Sequence, residues 1–455
     1  MKLFYLLLIT FLFTITTAGV NSQSYKKIDV TKSGLVNDGK TDNTEALKKL
    51  LELVKNERTK VELFFPAGTY VFNPILKKIL TGIDLSDISN LTIGGEKDKT
   101  VLQLKGNTTY TRAMYLVNTN ENSTNLLITN LVFDGNRKTL GKGDEQVHGM
   151  QISGKNIRIS DCEFKEWFSD GIRIMGISDV YADSIRIENS RFIHNGRSGV
   201  TCQRAFKNSV ISNNYFQNNS DQAIDFEPTG KNSPYNNLIS GNLIENKKSK
   251  IAATLSGSTV EYPNEKVTFI NNIIRNGALQ AVKLKDAVIE NNEISVDSFP
   301  FGIELSRTIT NVAIKNNKIT VPQGAGIRIY AANNMLPENV KIIKNEINVA
   351  TPGILLESVK NEFRIENNSI NNINGDGNGA GIVVTTKQTQ NDMQDVSITN
   401  NTIKGFNYGV IINAEKSSIR KITVSNNIIK AKNTVLMKKN PAYSTTISEA
   451  SIQKN

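Results

Sequence analysis

Two interleaved markers predict an all-β solenoid, a single-stranded parallel β-helix with an N-terminal capping helix. The first is a small residue that opens a strand alternating apolar and polar side chains. It recurs at 149, 171, 199, 223, 252, 281, 302, 326, 353, 381 and 409. The second lies between these starts, in IRISDCEF, IRIENSRF, VISNNYF, VIENNEI, RIENNSI and TVSNNII, where an Asn-rich corner joins two short strands. Asn tolerates left-handed backbone geometry and can bond to the Asn of the next coil. The steps between starts, 21 to 29 residues, are too short for a propeller blade of roughly 40–50 residues, and the fixed Leu/Asn spacing of leucine-rich repeats is absent. A coil this small cannot bury its own apolar residues, so it must stack on its neighbours.

The elements follow in order. Residues 1–22 read as a cleavable secretory leader, with Lys2, the apolar run LFYLLLITFLF and the small residues TTAG. That run is short for a membrane span, and no later segment is apolar enough to be one. A secreted protein, extracellular or periplasmic and with no stable membrane insertion, is therefore expected. Residues 23–90 hold the cap and first coils. A short strand and a glycine turn lead into a helix, with Asp42 and Glu45 three apart as a capping box. Leu47, Leu50, Leu51 and Val54 give it an apolar stripe. VELFFPAGTYVF then reads as two strands about a turn. The helix is placed to hide the edge of the first coil from strand addition. Residues 91–430 form the β-helix, and 431–455 a covering strand or tail.

A net charge of +11, from 54 Lys and Arg against 43 Asp and Glu, suits an acidic polysaccharide or an anionic cell surface better than nucleic acid in a secreted protein. A monomer is expected. Cys162 and Cys202 lie on different strand types, which predicts two buried free thiols rather than a disulfide. Neither has an obvious triad partner.

The opening unit, NDGKTDNTEALKK followed by FFPAGTYVF, resembles the start of the pectate-lyase-like superfamily. In that group such an element caps a right-handed parallel β-helix, and the Asn corners resemble its asparagine ladder. The resemblance implies the right-handed fold over nearly the whole chain. It leaves the reaction open among polysaccharide lyases, polygalacturonase-like hydrolases, uronate epimerases and phage depolymerases. The chain carries no NTDG…DD…GHG…RIK series, no W-x-D-H and no Y-G-F-D-P-H segment. No catalytic residue transfers by motif.

The candidate site comes from local chemistry. In GDEQVHGMQI, WFSDGIRI, NGRSGVTCQR and SDQAIDFEP, alignment on Gly149, Gly171, Gly199 and Ala223 puts Gln151, Arg173, Thr201 and Asp225 in one outward column. His148, Asp170, Arg173, Arg197, Asp225 and Glu227 are expected to converge on one exposed face, with Lys283 one column further on. β-Elimination on a uronate needs a group that neutralises the carboxylate, a base and an acid. Arg173 and Arg197 suit the clamp, and His148 or Lys283 the base. Asp225 and Glu227, with Asp221 or Asp170, could hold Ca²⁺. A hydrolase would instead use two carboxylates from Asp170, Asp225 and Glu227. Elimination is the first expectation; hydrolysis, epimerisation and non-catalytic glycan binding are the alternatives. The bland reading makes Arg173 and Asp225 a surface ion pair. His194 reads as packing under the cleft, Trp167 and Tyr330 as sugar-stacking or structural aromatics, and GDGNG at 375–379 as a turn. The outward column turns apolar after Arg328, at Leu355, Val383 and Ile411, which puts the polar half in the middle coils.

Overall fold

The computed structural model describes residues 25–453 except 56, 58, 75–79, 107–112, 141–144, 178, 248, 376, 388–391 and 444. The leader and Asp376 of GDGNG lie outside the described residues. Each coil lays strands on three parallel faces. One face is a separate sheet of 15 strands, running from Asp38–Asp42 to Ile428–Lys430. The other two merge into a sheet of 32 strands, because the long strand Phe301–Lys315 spans both. The chain is thus an all-β parallel solenoid, as its repeats predict. Among the described residues no helix is long and apolar enough to cross a membrane.

The asparagine corners divide their labour. In each Asn-Asn pair the first residue takes the left-handed backbone, as Asn213, Asn271, Asn291 and Asn316 do. The second turns inward and bonds to its counterpart one coil on. This buried ladder runs through Asn214, Asn242, Asn272, Asn292, Asn317, Asn345, Asn368, Asn401 and Asn427, with Nδ2 to Oδ1 distances of 2.9–3.1 Å. Each Nδ2 also donates to a main-chain carbonyl, as Asn292 does to Phe269 at 2.9 Å. The corners thereby satisfy buried polar groups that would otherwise cost about 1–3 kcal/mol each.

Core packing follows the same register. Phe133, Phe164, Phe192 and Phe216 stack with centroids 4.7, 5.2 and 4.9 Å apart. The column then continues as Ile244, Ile274, Ile294 and Ile319. The small residue at the strand entry faces this stack. A Cβ on Gly171 would lie 2.9 Å from the Phe192 ring and 2.8 Å from the Gly199 carbonyl, so only glycine fits.

The helix Thr44–Lys55 packs on the strand Leu80–Asp84 and buries Leu47, Leu50, Leu51 and Val54. Asp42 accepts the Thr44 N–H and hydroxyl at 3.0 and 2.6 Å. Glu45 is exposed, and Asp42 meets Thr44 rather than the third-residue N–H of a capping box, because Asn43, whose carbonyl accepts the Leu47 N–H at 2.9 Å, is the cap residue. At the far end Asn433–Lys439, Ile447–Ser448 and Ser451–Ile452 pair with the preceding coil. Cys162 and Cys202 are buried and free.

One strand start is displaced. Leu279 pairs with Ile303 and Gln280 with Glu304, so Ala278 rather than Ala281 is the small entry residue. Gln280, not Lys283, therefore occupies the outward column. The rest of that column runs Gln151, Arg173, Thr201, Asp225, Thr254, Gln280, Glu304, Arg328, Leu355, Val383, Ile411.

Candidate functional site

Four adjacent strands of one face, Val147–Ile152, Ile172–Met175, Val200–Gln203 and Ile224–Glu227, carry the middle of this column. The first strand is buried along its whole length, and this closes off part of the expected face. His148 and Asp170 are both 0 % exposed, with Nδ1 3.1 Å from Oδ2. The Tyr115 ring lies on the imidazole, with centroids 5.3 Å apart at 18°. Burial holds the His148 pKa below its ordinary value despite the pull of Asp170. Burial alone would raise that of Asp170, yet His148, Arg197 and the Ser198 N–H, 3.1 Å from Oδ1, hold it low. The pair is a neutral imidazole beside an ionised carboxylate. It is sealed in the wall rather than exposed, because the preceding coil supplies Tyr115 as a lid.

Above it runs a continuous string. Arg173 donates from Nε to Gln203 Oε1 at 2.9 Å, with Nη2 on the same oxygen, and from Nη1 to Tyr115 Oη at 3.1 Å. Gln203 Nε2 donates to Glu227 Oε2 at 3.0 Å, and Arg197 Nη2 to Glu227 Oε1 at 3.3 Å. Arg173 therefore pairs with Gln203 and Tyr115, not with Asp225. Gln203 and Tyr115 escaped the sequence reading. Gln203 stands two residues beyond Thr201, so the alternation that selects Glu227 also selects it.

Asp225 is 3 % exposed. Burial, then the charge and hydrogen bond of Glu227, then Asp221 and Asp170, push its pKa up to about 9. It keeps its proton at neutral pH. Burial also raises the pKa of Asp221. Arg197 stays charged in spite of burial because Asp170, Glu227, Asp225 and Asp221 surround it. Among the described residues no three or more His, Cys, Asp or Glu side chains are disposed to hold a metal ion. Arg197 Nη2 already holds Glu227 Oε1 at 3.3 Å, so a Ca²⁺ ion on Asp221, Asp225 and Glu227 would have to displace that guanidinium.

The remaining candidates lie apart. Lys283, in left-handed geometry past a register shift, donates from Nζ to the Ser258 carbonyl at 2.5 Å. Burial, then Arg307, lowers its pKa. Trp167 is fully buried, its indole donating to the Phe133 carbonyl at 3.2 Å, so it is closed to sugar. His194 is 44 % exposed beside Glu166 rather than under a cleft. A cleft of about 630 Å³ over Lys341, Arg364 and Lys421 and one of about 230 Å³ beside the helix lie away from this site.

Residues 27–248 match the family model described as rhamnogalacturonase A/epimerase, pectate lyase-like. Residues 259–429 match that of the right-handed β-helix region. No curated protein matches the chain. Among solved structures it is similar to the A-module of mannuronan C-5 epimerase AlgE4 from Azotobacter vinelandii, at 16 % identity and TM-score 0.52, over 93 % of this chain and 99 % of that one. It is also similar to an exopolygalacturonase from Thermotoga maritima, at 15 % identity and TM-score 0.52, over 74 % and 92 %. At these identities the likeness is one of fold.

Proposed function

Since the chain is a pectate-lyase-like right-handed β-helix, we propose that it is a secreted enzyme that cleaves glycosidic bonds of a polysaccharide, acidic in keeping with the +11 charge. Asp225 carries this reading. A carboxylic acid that keeps its proton to about 9 can hand it to a leaving glycosidic oxygen at neutral pH. Glu227, two residues along the same strand, is the partner carboxylate, fixed by Arg197 and Gln203. In this scheme the glycosidic oxygen takes the Asp225 proton as its bond to the anomeric carbon breaks. Water supplies hydroxide to that carbon and its proton to a carboxylate, which restores the acid. The carboxyl pair favours hydrolysis over the elimination first expected.

Elimination is the second reading, favoured by Arg173 and Arg197 on the same surface as a clamp for a uronate carboxylate. Its base is the weak point, since His148 is sealed and Lys283 lies off the column. A panel of acidic and neutral polysaccharides, scored for reducing ends and for the ultraviolet absorbance of an unsaturated uronate, tests both. Hydrolysis gives reducing ends alone, and elimination gives both signals. An epimerase would change sugar composition at constant length, and a binding protein would retain chains without shortening them. Cleavage by Asp225→Asn at the wild-type rate would remove the assignment.

A further inference from the structure

Beyond Asp225 the outward column passes through Thr254, and Ser256 stands beside it. Charge then returns. Gln280 Nε2 donates to Glu304 Oε1 at 3.0 Å, and Arg328 Nη1 to Glu304 Oε2 at 3.1 Å. Arg328 Nε donates to Glu357 Oε2 at 2.6 Å, and Lys387 Nζ holds the other Glu357 oxygen. The guanidinium lies 4.2 Å from the Tyr330 ring centroid. The acids are sunk and the cations are not: Glu304 and Glu357 are 4 % and 6 % exposed, Arg328 and Lys387 34 % and 57 %.

Stability gives no reason for this second island. Buried ion pairs roughly break even against well-packed apolar residues, and the next three positions of the same column are Leu355, Val383 and Ile411. The fold accepts apolar side chains here and carries a charged network instead. A guanidinium has five N–H donors. Glu304 and Glu357 occupy Nη1 and Nε, which leaves Nη2 free among the described residues, beside the ammonium of Lys387 and the face of Tyr330.

We propose that Arg328, Lys387 and Tyr330 form a distal subsite for a carboxylated sugar unit of the same polysaccharide chain that reaches Asp225. It rests on the reading of this face as the polysaccharide track. Arg328 lies four coils from Asp225, about 19 Å at roughly 4.8 Å per coil, a span of several sugar units. The subsite would hold the chain by charge-assisted hydrogen bonds and make affinity depend on chain length.

The probes are galacturonate and mannuronate oligosaccharides, dimer to octamer, titrated calorimetrically into Asp225→Asn protein. Affinity should rise once the oligomer spans both islands, at about the pentamer. Adding Arg328→Ala should weaken the long oligomers about tenfold and leave the short ones unchanged. Because that change takes the cation from the buried Glu304, Glu304→Gln with Arg328→Gln serves as the charge-balanced control and should give the same length-selective loss. Equal loss at every length, no loss, or no binding of either series would overturn the subsite. Arg328-dependent binding in a protein that shortens no polysaccharide would keep the subsite and remove the cleavage reading. Cleavage indifferent to Arg328 and to chain length would do the reverse.

Discussion

Replacing Asp225 by Asn should make the protein more stable while removing its proton donor. The amide mimics the protonated carboxyl in shape and charge, so the folded state loses little. The unfolded state is where the two proteins differ. There Asp225 ionises at its ordinary 3.8, whereas in the fold it holds its proton to about 9. Between those values the folded chain binds more protons than the unfolded one, so rising pH costs wild-type stability. Relative to the variant, the loss is about 1.4 kcal/mol per pH unit. At pH 7 the interval from 3.8 is about 3 units, or about 4 kcal/mol. For 455 residues that is a melting-temperature gap of roughly 4 °C. Thermal melts of both proteins by circular dichroism, from pH 4 to 9, read it directly, because titrating groups remote from Asp225 cancel in the difference. The curves should meet near pH 4 and diverge upward. Parallel curves would refute the raised pKa, and with it the role of Asp225 as a neutral-pH acid. Activity should fall by about 10²–10⁴-fold in the variant.

Two further outcomes concern the frame. Asn292→Ala removes the acceptor of the Asn272 N–H and Nδ2 and the donors to Asn317 and Phe269. It should cost about 3–5 kcal/mol, seen as a lower melting temperature, and a loss under about 1 kcal/mol would show that water replaces the amide. Phe192→Ala opens a gap in the aromatic stack between Phe164 and Phe216. It should cost about 3–5 kcal/mol in denaturant titration, and a cost below about 1 kcal/mol would mean that the neighbouring coils collapse into the space.

The fold was legible because its two markers are local. Gly171 is glycine for a clash that any Cβ would make, and Asn292 is asparagine for bonds that only a short amide can make on both sides. Register was legible where one small residue stood at the strand entry. It failed at Ala278 and Ala281, two alanines three apart that both fit the pattern, and Lys283 was misplaced as a result. Burial was the least legible property. Nothing in VHGMQI says that Tyr115, one coil earlier, lies on His148. Trp167 was equally hidden, because its indole finds a carbonyl inside the core. Asp225, Glu227 and Arg173 come from strand alternation, and Arg197 from the polar loop before its strand, but that Gln203 and Tyr115 are their partners emerges only when the coils are stacked.

The buried amide ladder has a consequence for how such a molecule changes over time. Successive rungs are separated by anything from 20 to 33 residues, yet their contacts stay within 2.9–3.1 Å. The interior therefore keeps count of turns and ignores how much chain is spent between them. Loops can lengthen, shorten or be exchanged at the rim while the spine is undisturbed, so new specificities can be tried with little risk to folding.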